Sequence, residues 1–362
     1  MDLVRLLDTL VKVEGSDLHL QAGAPPMVRI GGDLKALDSP PLEDIEIRKH
    51  MQDVGPAQAQ ITLEQRRTAD FSIVMTGVSR FRVNAFYERQ HLALAFRRIP
   101  LEIPSFEKLG LPKVIAEIAM SPRGLVLVTG TTGSGKSTTL AAMLDVVNTK
   151  RHDRIITVED PIEFVHTNKK SLVAQRELGM DTPNFLDSLR AALRQDPDLI
   201  LVGELRDAET MRTALQAADT GHTVYSTMHT TNAAQTVQRM IALFPNEERE
   251  LLRIQLAANL EAVISQRLAK TRNGKDRVPV IEVMRNTPVV RKIIAEQDTA
   301  LLSQAIANQD AGMQLFDQHL SKLYSTEVIS GTEALRLATN PEAISMMMRG
   351  LTSKDLQSGL VS

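Results

Sequence analysis

The stretch of residues 130–137 constrains the fold of this chain more than any other. It reads Gly-Thr-Thr-Gly-Ser-Gly-Lys-Ser, so Gly130 and Gly135 lie five positions apart and are followed by Lys136 and Ser137, as in a phosphate-binding loop. A strand-length apolar run precedes it and a helical pattern follows. Between a strand and a helix, glycines let backbone N–H groups converge on phosphate oxygens, and the helix N-terminus adds positive charge. The stretch predicts a nucleotide-phosphate site, with a plain glycine-rich turn as the alternative.

Two side chains of this loop have predicted roles toward ATP. We expect Lys136 to reach the β- and γ-phosphates and the Ser137 hydroxyl to hold Mg²⁺. The residues expected to bind the nucleotide are Gly130, Thr131, Thr132, Gly133, Ser134, Gly135, Lys136, Ser137 and Thr138.

The chain around the loop alternates between strand and helix patterns, which argues for a parallel sheet covered on both faces. Beyond Thr231 the patterns are mostly helical, apart from an Asn273-Gly274 turn between two runs that predicts a hairpin. This part of the chain is therefore expected to be an α/β domain. The predicted strands span 125–129, 154–158, 199–202 and 223–228, and the predicted helices start at 136, 184 and 208.

The first hundred residues follow a different pattern. An amphipathic leucine repeat predicts a helix at the N-terminus, alternating runs on both sides of turns at 31–33 and 88–90 predict antiparallel strands, and the polar stretch 42–67 looks helical. A small α+β domain follows from this pattern. Three prolines within thirteen residues then predict a linker. The predicted division is a domain at 1–99, a proline-rich linker at 100–112 and the ATPase domain with C-terminal helices at 113–362.

Carboxylates follow two of the predicted strands. The apolar run 199–202 ends in Gly203-Glu204, with Gly203 where many phosphate-loop ATPases carry Asp. We expect Glu204, with Ser137, to hold Mg²⁺ directly or through water; a solvated acid that opens the next helix is the alternative. Glu163 follows the strand at 154–158 and is our candidate for orienting the attacking water. The alternative there is a turn with a solvated Glu163.

Histidine and arginine supply further candidates. His229 lies at the carboxyl end of the strand at 223–228 and is expected to sense the γ-phosphate, although a structural histidine is the more common case. Phosphoryl transfer also favours a guanidinium on the transition-state charge. Arg80, Arg82 and Arg97 are candidates for that group, delivered from a neighbouring subunit, with a solvated sheet face as the alternative.

Composition argues against several other classes of protein. A net charge of −2 and only 9 Phe, 3 Tyr and no Trp disfavour nucleic-acid binding. Without cysteine the chain has no disulfides, zinc–thiolate sites or thiol nucleophile. The N-terminus lacks a signal-peptide pattern and the apolar runs are too short to span a bilayer. The expectation is a cytoplasmic protein without membrane insertion.

Five motifs in order resemble the type IV pilus retraction ATPases of the PilT/PilU type, within the secretion-ATPase superfamily. The resemblance covers nearly the whole chain. Its motifs are Gly15-Ser16-Asp17-Leu18-His19-Leu20, the phosphate loop, Glu159-Asp160-Pro161-Ile162-Glu163, Gly203-Glu204-Leu205-Arg206-Asp207, and Thr220-Gly221-His222 with His229-Thr230.

The resemblance implies a PAS-like N-terminal domain, a RecA-like ATPase domain and a hexameric ring. It also implies retraction of type IV pili in twitching motility, by force applied to a platform protein in the inner membrane from its cytoplasmic side. In this family Glu163 would be the catalytic glutamate and Glu204 the Walker B acid. N-domain arginines, here Arg80, Arg82 and Arg97, would reach the nucleotide.

Two departures bear on the branch of the family. Extension and secretion-assembly relatives generally have a longer N-terminal region and many carry a tetracysteine zinc site, so their absence favours the retraction branch. The C-terminal helix typical of retraction members keeps only Ala343, Ile344 and Arg349. This leaves an accessory retraction paralogue, acting beside a second retraction ATPase, as an alternative. The rivals from other classes are a slow nucleotide-gated regulator, a nucleic-acid translocase and a small-molecule kinase.

Overall fold

The computed structural model describes residues 2–75, 78–99 and 102–348. The chain divides into two compact units, Met1–Glu102 and Ile103–Ser362.

The first unit is built on an antiparallel sheet that has six strands within the described residues, in the order β3-β2-β1-β6-β5-β4. Its strands are β1 (Asp17–Gln21), β2 (Met27–Ile30), β3 (Asp33–Ala36), β4 (Thr68–Met75), β5 (Ser79–Glu88) and β6 (His91–Ile99), and its helices are α1 (Leu3–Lys12), α2 (Asp44–Val54) and α3 (Ala57–Arg66).

Apolar periodicity determines which faces of these elements are buried. In α1 the leucine stripe lies in the core, and the Asp2 side chain accepts from the Val4 N–H to cap the helix. In β5 the buried residues Phe81, Val83 and Ala85 alternate with less buried arginine and asparagine. The predicted α+β architecture of this unit is therefore confirmed.

The division between the units falls within the stretch 100–112 that the prolines predict to be a linker. From Ile103 onward this stretch packs into an apolar cluster of the second unit, and a helical turn, α4 (Phe106–Leu109), forms within it. Pro100 lies outside the described residues.

The second unit contains a sheet that has seven strands in the described part of the chain, in the order β13-β12-β7-β11-β10-β8-β9. All neighbours in it are parallel except β13, which pairs antiparallel with β12. The strands are β7 (Gly124–Thr129), β8 (Arg154–Glu159), β9 (Leu172–Glu177), β10 (Leu199–Val202), β11 (Thr223–Met228), β12 (Leu260–Lys270) and β13 (Arg277–Arg285).

Helices cover both faces of this sheet. Successive side chains of β7 point to opposite faces, so Leu125 and Leu127 join one apolar cluster, and Val126 and Val128 join another. The predicted α/β class is confirmed. The helices are α5 (Lys113–Ala119), α6 (Lys136–Lys150), α7 (Phe185–Ala192), α8 (Ala208–Asp219), α9 (Ala233–Ala242), α10 (Arg249–Asn259), α11 (Pro288–Ala295), α12 (Leu302–Ala307), α13 (Phe316–Ser325), α14 (Gly331–Leu337) and α15 (Pro341–Met348).

The C-terminal helices pack around a smaller apolar cluster that includes Phe316, Leu320 and Ile344. Arg349 and Gly350 of the predicted C-terminal helix lie outside the described residues. Where the chain is described, no helix combines the length and the apolar composition needed to span a membrane.

Candidate active site

The predicted phosphate loop connects β7 to α6. Every residue of β7 is buried, and Gly130 follows it directly. Gly135 has a φ of +89°, a left-handed conformation that favours glycine, and caps α6, which begins at Lys136. The first N–H groups of a helix have no partner within it, and here they belong to the loop and the start of α6. This geometry is that of an anion-binding site at a helix N-terminus.

Lys136 extends its side chain across the loop. Its Nζ donates to the carbonyl oxygen of Gly130 at 2.9 Å and to that of Thr131 at 3.1 Å. Burial lowers the pKa of the ammonium below its ordinary value, while the negative charges of Glu204 and Glu163 act to raise it. The Lys136 ammonium therefore contacts the loop carbonyls and is attracted by the negative charges of both predicted catalytic acids.

A cavity of about 650 Å³ opens above the loop. Ends of three neighbouring parallel strands, β8, β10 and β11, contribute residues to its wall, as expected at the carboxyl edge of a parallel sheet. The predicted site residues that line it are Thr132, Gly133, Gly135, Lys136, Ser137, Thr138, Glu163, Glu204 and His229, whereas Gly130, Thr131 and Ser134 of the loop are not part of the wall.

Glu204 contacts two basic side chains just beyond β10. Its Oε2 is 2.8 Å from Nη2 of Arg206, and its Oε1 is 3.4 Å from Nε2 of His229. The hydrogen bond with Glu204 raises the pKa of Arg206 above its ordinary value. The Thr227 hydroxyl donates to the Gly203 carbonyl at 2.7 Å and ties the ends of β10 and β11 together. Glu204 and His229 are thus held in contact, which the sequence did not predict.

Three carboxylates line the cavity at and just beyond the end of β8, namely Glu159, Asp160 and Glu163. Glu159, the last residue of that strand, accepts from the Thr157 hydroxyl at 2.6 Å and from Nε2 of Gln175 at 3.1 Å. Burial raises the pKa of the Glu159 carboxyl, and the nearby charge of Glu163 adds to that rise. Hydrogen bonds to residues of β8 and β9 therefore hold the Glu159 side chain in place. Glu163 lies in the loop that follows β8, on the wall of the same cavity.

The donor set of this cavity suits Mg²⁺. Among the described residues there is no group of three or more His, Asp, Glu or Cys that could hold a metal ion, and Mg²⁺ at nucleotide sites commonly takes one or two protein oxygens together with phosphates and water. The Ser137 hydroxyl and the Glu204 carboxylate, both on the cavity wall, are such oxygens.

The three candidate arginines belong to the first unit. Arg80 and Arg82 lie on β5, and Arg97 lies on β6 opposite Arg82. Arg97 pairs with Asp17, with Nε and Oδ1 2.9 Å apart. Burial acts to raise the pKa of Asp17, but hydrogen bonds from Ser16 and Arg97 hold it below its ordinary value. All residues of the cavity wall belong to the second unit, so the role of these arginines stays a prediction.

Several residues of the site were not predicted from the sequence. Arg206 and Glu159 stand in motifs that the sequence made visible, but nothing in those motifs assigned them a partner. Phe185 and His166 also line the cavity. Gln266 contacts the phosphate loop from β12, 132 residues away from its partner Ser134. No local signal marks it, because the contact depends on the pairing of β12 with β7.

The chain is similar in sequence to proteins of bacterial secretion systems. Residues 101–336, more than half of the chain, match the family model described as type II/IV secretion system protein. The chain belongs to that family. It is one of the secretion ATPases of the family.

Within the family the chain is similar to pilus retraction proteins. It is 47% identical to the type IV pilus retraction ATPase PilT of Pseudomonas aeruginosa, over 94% of this chain and 99% of that protein. It is 37% identical to the type IV pilus ATPase PilU of the same organism, over 96% of this chain and 92% of that protein. A crystal structure of the pilus retraction motor PilT with bound ADP aligns with a TM-score of 0.90 and 43% identity, over 96% of this chain and all of that chain. The predicted family is confirmed.

Proposed function

We propose that this chain is an ATP-hydrolysing motor that powers the retraction of type IV pili. The observation that carries the proposal is the cavity at the sheet edge, where the phosphate loop, Glu163, Glu204 and His229 form one wall. Relatives described as a pilus retraction ATPase and as a twitching motility protein, at 47% and 45% identity, support the coupling to pili.

The chemistry follows from the side chains on that wall. The loop N–H groups and Lys136 bind the phosphates of ATP, and Lys136 neutralises charge that develops between the β- and γ-phosphates. Ser137 and Glu204, directly or through water, hold Mg²⁺, which supplies further neutralisation of phosphate charge. Glu163 orients the attacking water and takes its proton. His229, in contact with Glu204, registers the presence of the γ-phosphate.

The working form in this proposal is a homo-hexamer. One of Arg80, Arg82 and Arg97 reaches the nucleotide of a neighbouring subunit, because the described cavity has Arg206 as its one arginine and that side chain is paired with Glu204. The ring acts from the cytoplasm on a platform protein in the inner membrane.

The alternatives are separated by different observations. An accessory paralogue is disfavoured by the lower identity to PilU, 37% against 47% to PilT. A slow nucleotide-gated regulator would share the phosphate site but would not need Glu163 to activate water, so turnover discriminates between the two.

The test is steady-state phosphate release by the purified chain with ATP and Mg²⁺. Glu163→Gln keeps size and hydrogen bonding but removes the charge, so turnover should fall by about 10² or more while ATP binding persists. Glu247→Gln, at an exposed position outside the cavity, serves as the matched control and should turn over like the wild type. Wild-type protein that binds ATP without hydrolysing it would favour the regulator, and loss of binding in Glu163→Gln would make that residue structural.

A further inference from the structure

Gln266 is a buried amide on the strand next to the phosphate loop. The parallel pairing of β12 with β7 places Ser265 opposite Thr129, the last residue of β7, and their hydroxyl oxygens are 2.8 Å apart. Gln266 is one residue further along β12, beside Gly130, where the loop begins. It is 3% exposed and is not part of the cavity wall.

The side-chain amide of Gln266 connects the loop to the helix that follows it. Its Nε2 donates to the Ser134 carbonyl at 2.7 Å, and its Oε1 accepts from the Thr139 hydroxyl at 2.7 Å. Ser134 lies within the loop and Thr139 lies in the first turns of α6. A single amide therefore uses both of its polar atoms to fix the loop against the helix, inside a buried site where an unpaired polar group is costly.

The two glycines that frame the loop lie directly against Gln266. A Cβ at Gly130 would come within 2.5 Å of the backbone carbonyl oxygen of Gln266, and a Cβ at Gly135 within 2.7 Å of the side-chain Nε2 of Gln266. Carbon atoms do not approach backbone or packed polar atoms this closely, so these positions accept only glycine while Gln266 keeps its place. The Gln266 side chain therefore packs directly against the loop at Gly135, and its backbone packs against the loop at Gly130.

We infer that Gln266 is a positioning residue for nucleotide binding, which holds the phosphate loop in the path that aims its N–H groups at the phosphates. The inference rests on the proposed function in that the ligand is a nucleotide. Gln266 acts through the loop backbone and does not touch the ligand. Because several N–H groups must converge on one phosphate chain, a small shift of the loop weakens all of them together.

The experiment measures binding of ADP in the presence of Mg²⁺ by calorimetry. Gln266→Met keeps the length of the side chain and removes both hydrogen bonds. The matched control is Gln318→Met, since Gln318 also uses its amide in two directions, donating to Ala307 and accepting from Leu315, away from the cavity. Both variants should lose thermal stability without nucleotide, but only Gln266→Met should bind ADP about tenfold more weakly than wild type. Equal ADP affinity in the two variants would overturn the inference.

A second variant keeps the inference testable if Gln266→Met does not fold. Gln266→Glu preserves the acceptor for Thr139 but places a carboxylate against the Ser134 carbonyl. Burial raises the pKa of a carboxyl, so the introduced group should regain its proton, and with it a donor, as pH falls from about 8 to about 6. The ADP affinity lost in this variant, relative to wild type at each pH, should recover over that range. A constant ratio would contradict the positioning role.

These readouts separate the two claims. Wild-type protein that binds ADP but does not hydrolyse ATP would end the motor proposal and leave the role of Gln266 in binding intact. Wild-type protein that hydrolyses ATP, with the two methionine variants equal in ADP affinity, would end only the inference about Gln266.

Discussion

Lys136 is the residue on which we expect nucleotide binding to depend most directly. Its ammonium lies against the Gly130 and Thr131 carbonyls and in the field of Glu163 and Glu204. Lys136→Ala removes the cation expected at the β- and γ-phosphates, so ATP hydrolysis should fall by about 10² or more and ATP binding should weaken.

The matched control for that variant is Lys150→Ala, at the exposed C-terminal end of the same helix. Phosphate release and ATP affinity should stay at the wild-type level in the control. Normal turnover in Lys136→Ala would mean that the loop is not the phosphate site.

The predictions for the loop and for the residues that follow the strands rested on local sequence patterns, and most of those residues meet at one cavity, whereas Arg80, Arg82 and Arg97 are not part of its wall. Sequence patterns are informative where a buried strand ends. The residues that lie in segments directly after such strands are Lys136, Glu163, Glu204 and His229. Gln266 could not be found this way, because no sequence pattern near Gln266 indicates a contact with the phosphate loop. Its role depends on which strand lies beside β7, and side-chain periodicity does not specify strand order.

At the scale of elements, Glu282 joins helix α9 to the sheet. It is a buried residue of β13, and its Oε1 accepts from the N–H of Ala233, the first residue of α9, at 2.7 Å. Burial raises the pKa of Glu282 to about 7, with the charge of Asp317 adding to the rise and that of Arg267 opposing it. The protonated carboxyl is therefore the form that folding favours.

The pH dependence follows from this raised pKa. In the unfolded chain the pKa is near 4.5, so the stability from the protonated group is full below that pH and is lost as pH rises to about 7. Glu282→Gln does not titrate. Its free energy of unfolding, relative to wild type, should rise with pH over this range, by at most ~3 kcal/mol. Urea unfolding at several pH values measures the slope, and a difference independent of pH would contradict the raised pKa.

The elements themselves were mostly predictable, with informative exceptions. Strands β7 and β10 are apolar runs, and β11 is a short run that includes the β-branched residues Thr223, Val224 and Thr227; the structure has all three strands where the pattern predicts. Strand β9 has no such pattern, because it lies at the edge of the sheet and is rich in polar residues. The runs around Asn273 form the predicted hairpin, but only the structure shows that β12 joins the parallel sheet beside the phosphate loop.

For the molecule as a whole, we predict that hydrolysis depends on assembly. If Arg80, Arg82 or Arg97 serves the nucleotide of a neighbouring subunit, specific activity should rise with protein concentration until rings form. Mixing Lys136→Ala subunits with subunits that lack the active arginine should restore activity, since some interfaces then combine two intact halves. Specific activity that does not change on dilution, with no rescue on mixing, would show that each chain carries a complete site.

The central claim is that ATP hydrolysis in this cavity drives pilus retraction. The most direct measurement deletes the gene in the organism that encodes the chain, restores it as wild type or as Glu163→Gln, and compares surface pili and twitching motility at matched protein levels. We predict that pili accumulate and twitching stops in the deletion strain, that wild type reverses both, and that Glu163→Gln reverses neither. Retraction at the wild-type rate with Glu163→Gln as the only copy would contradict it.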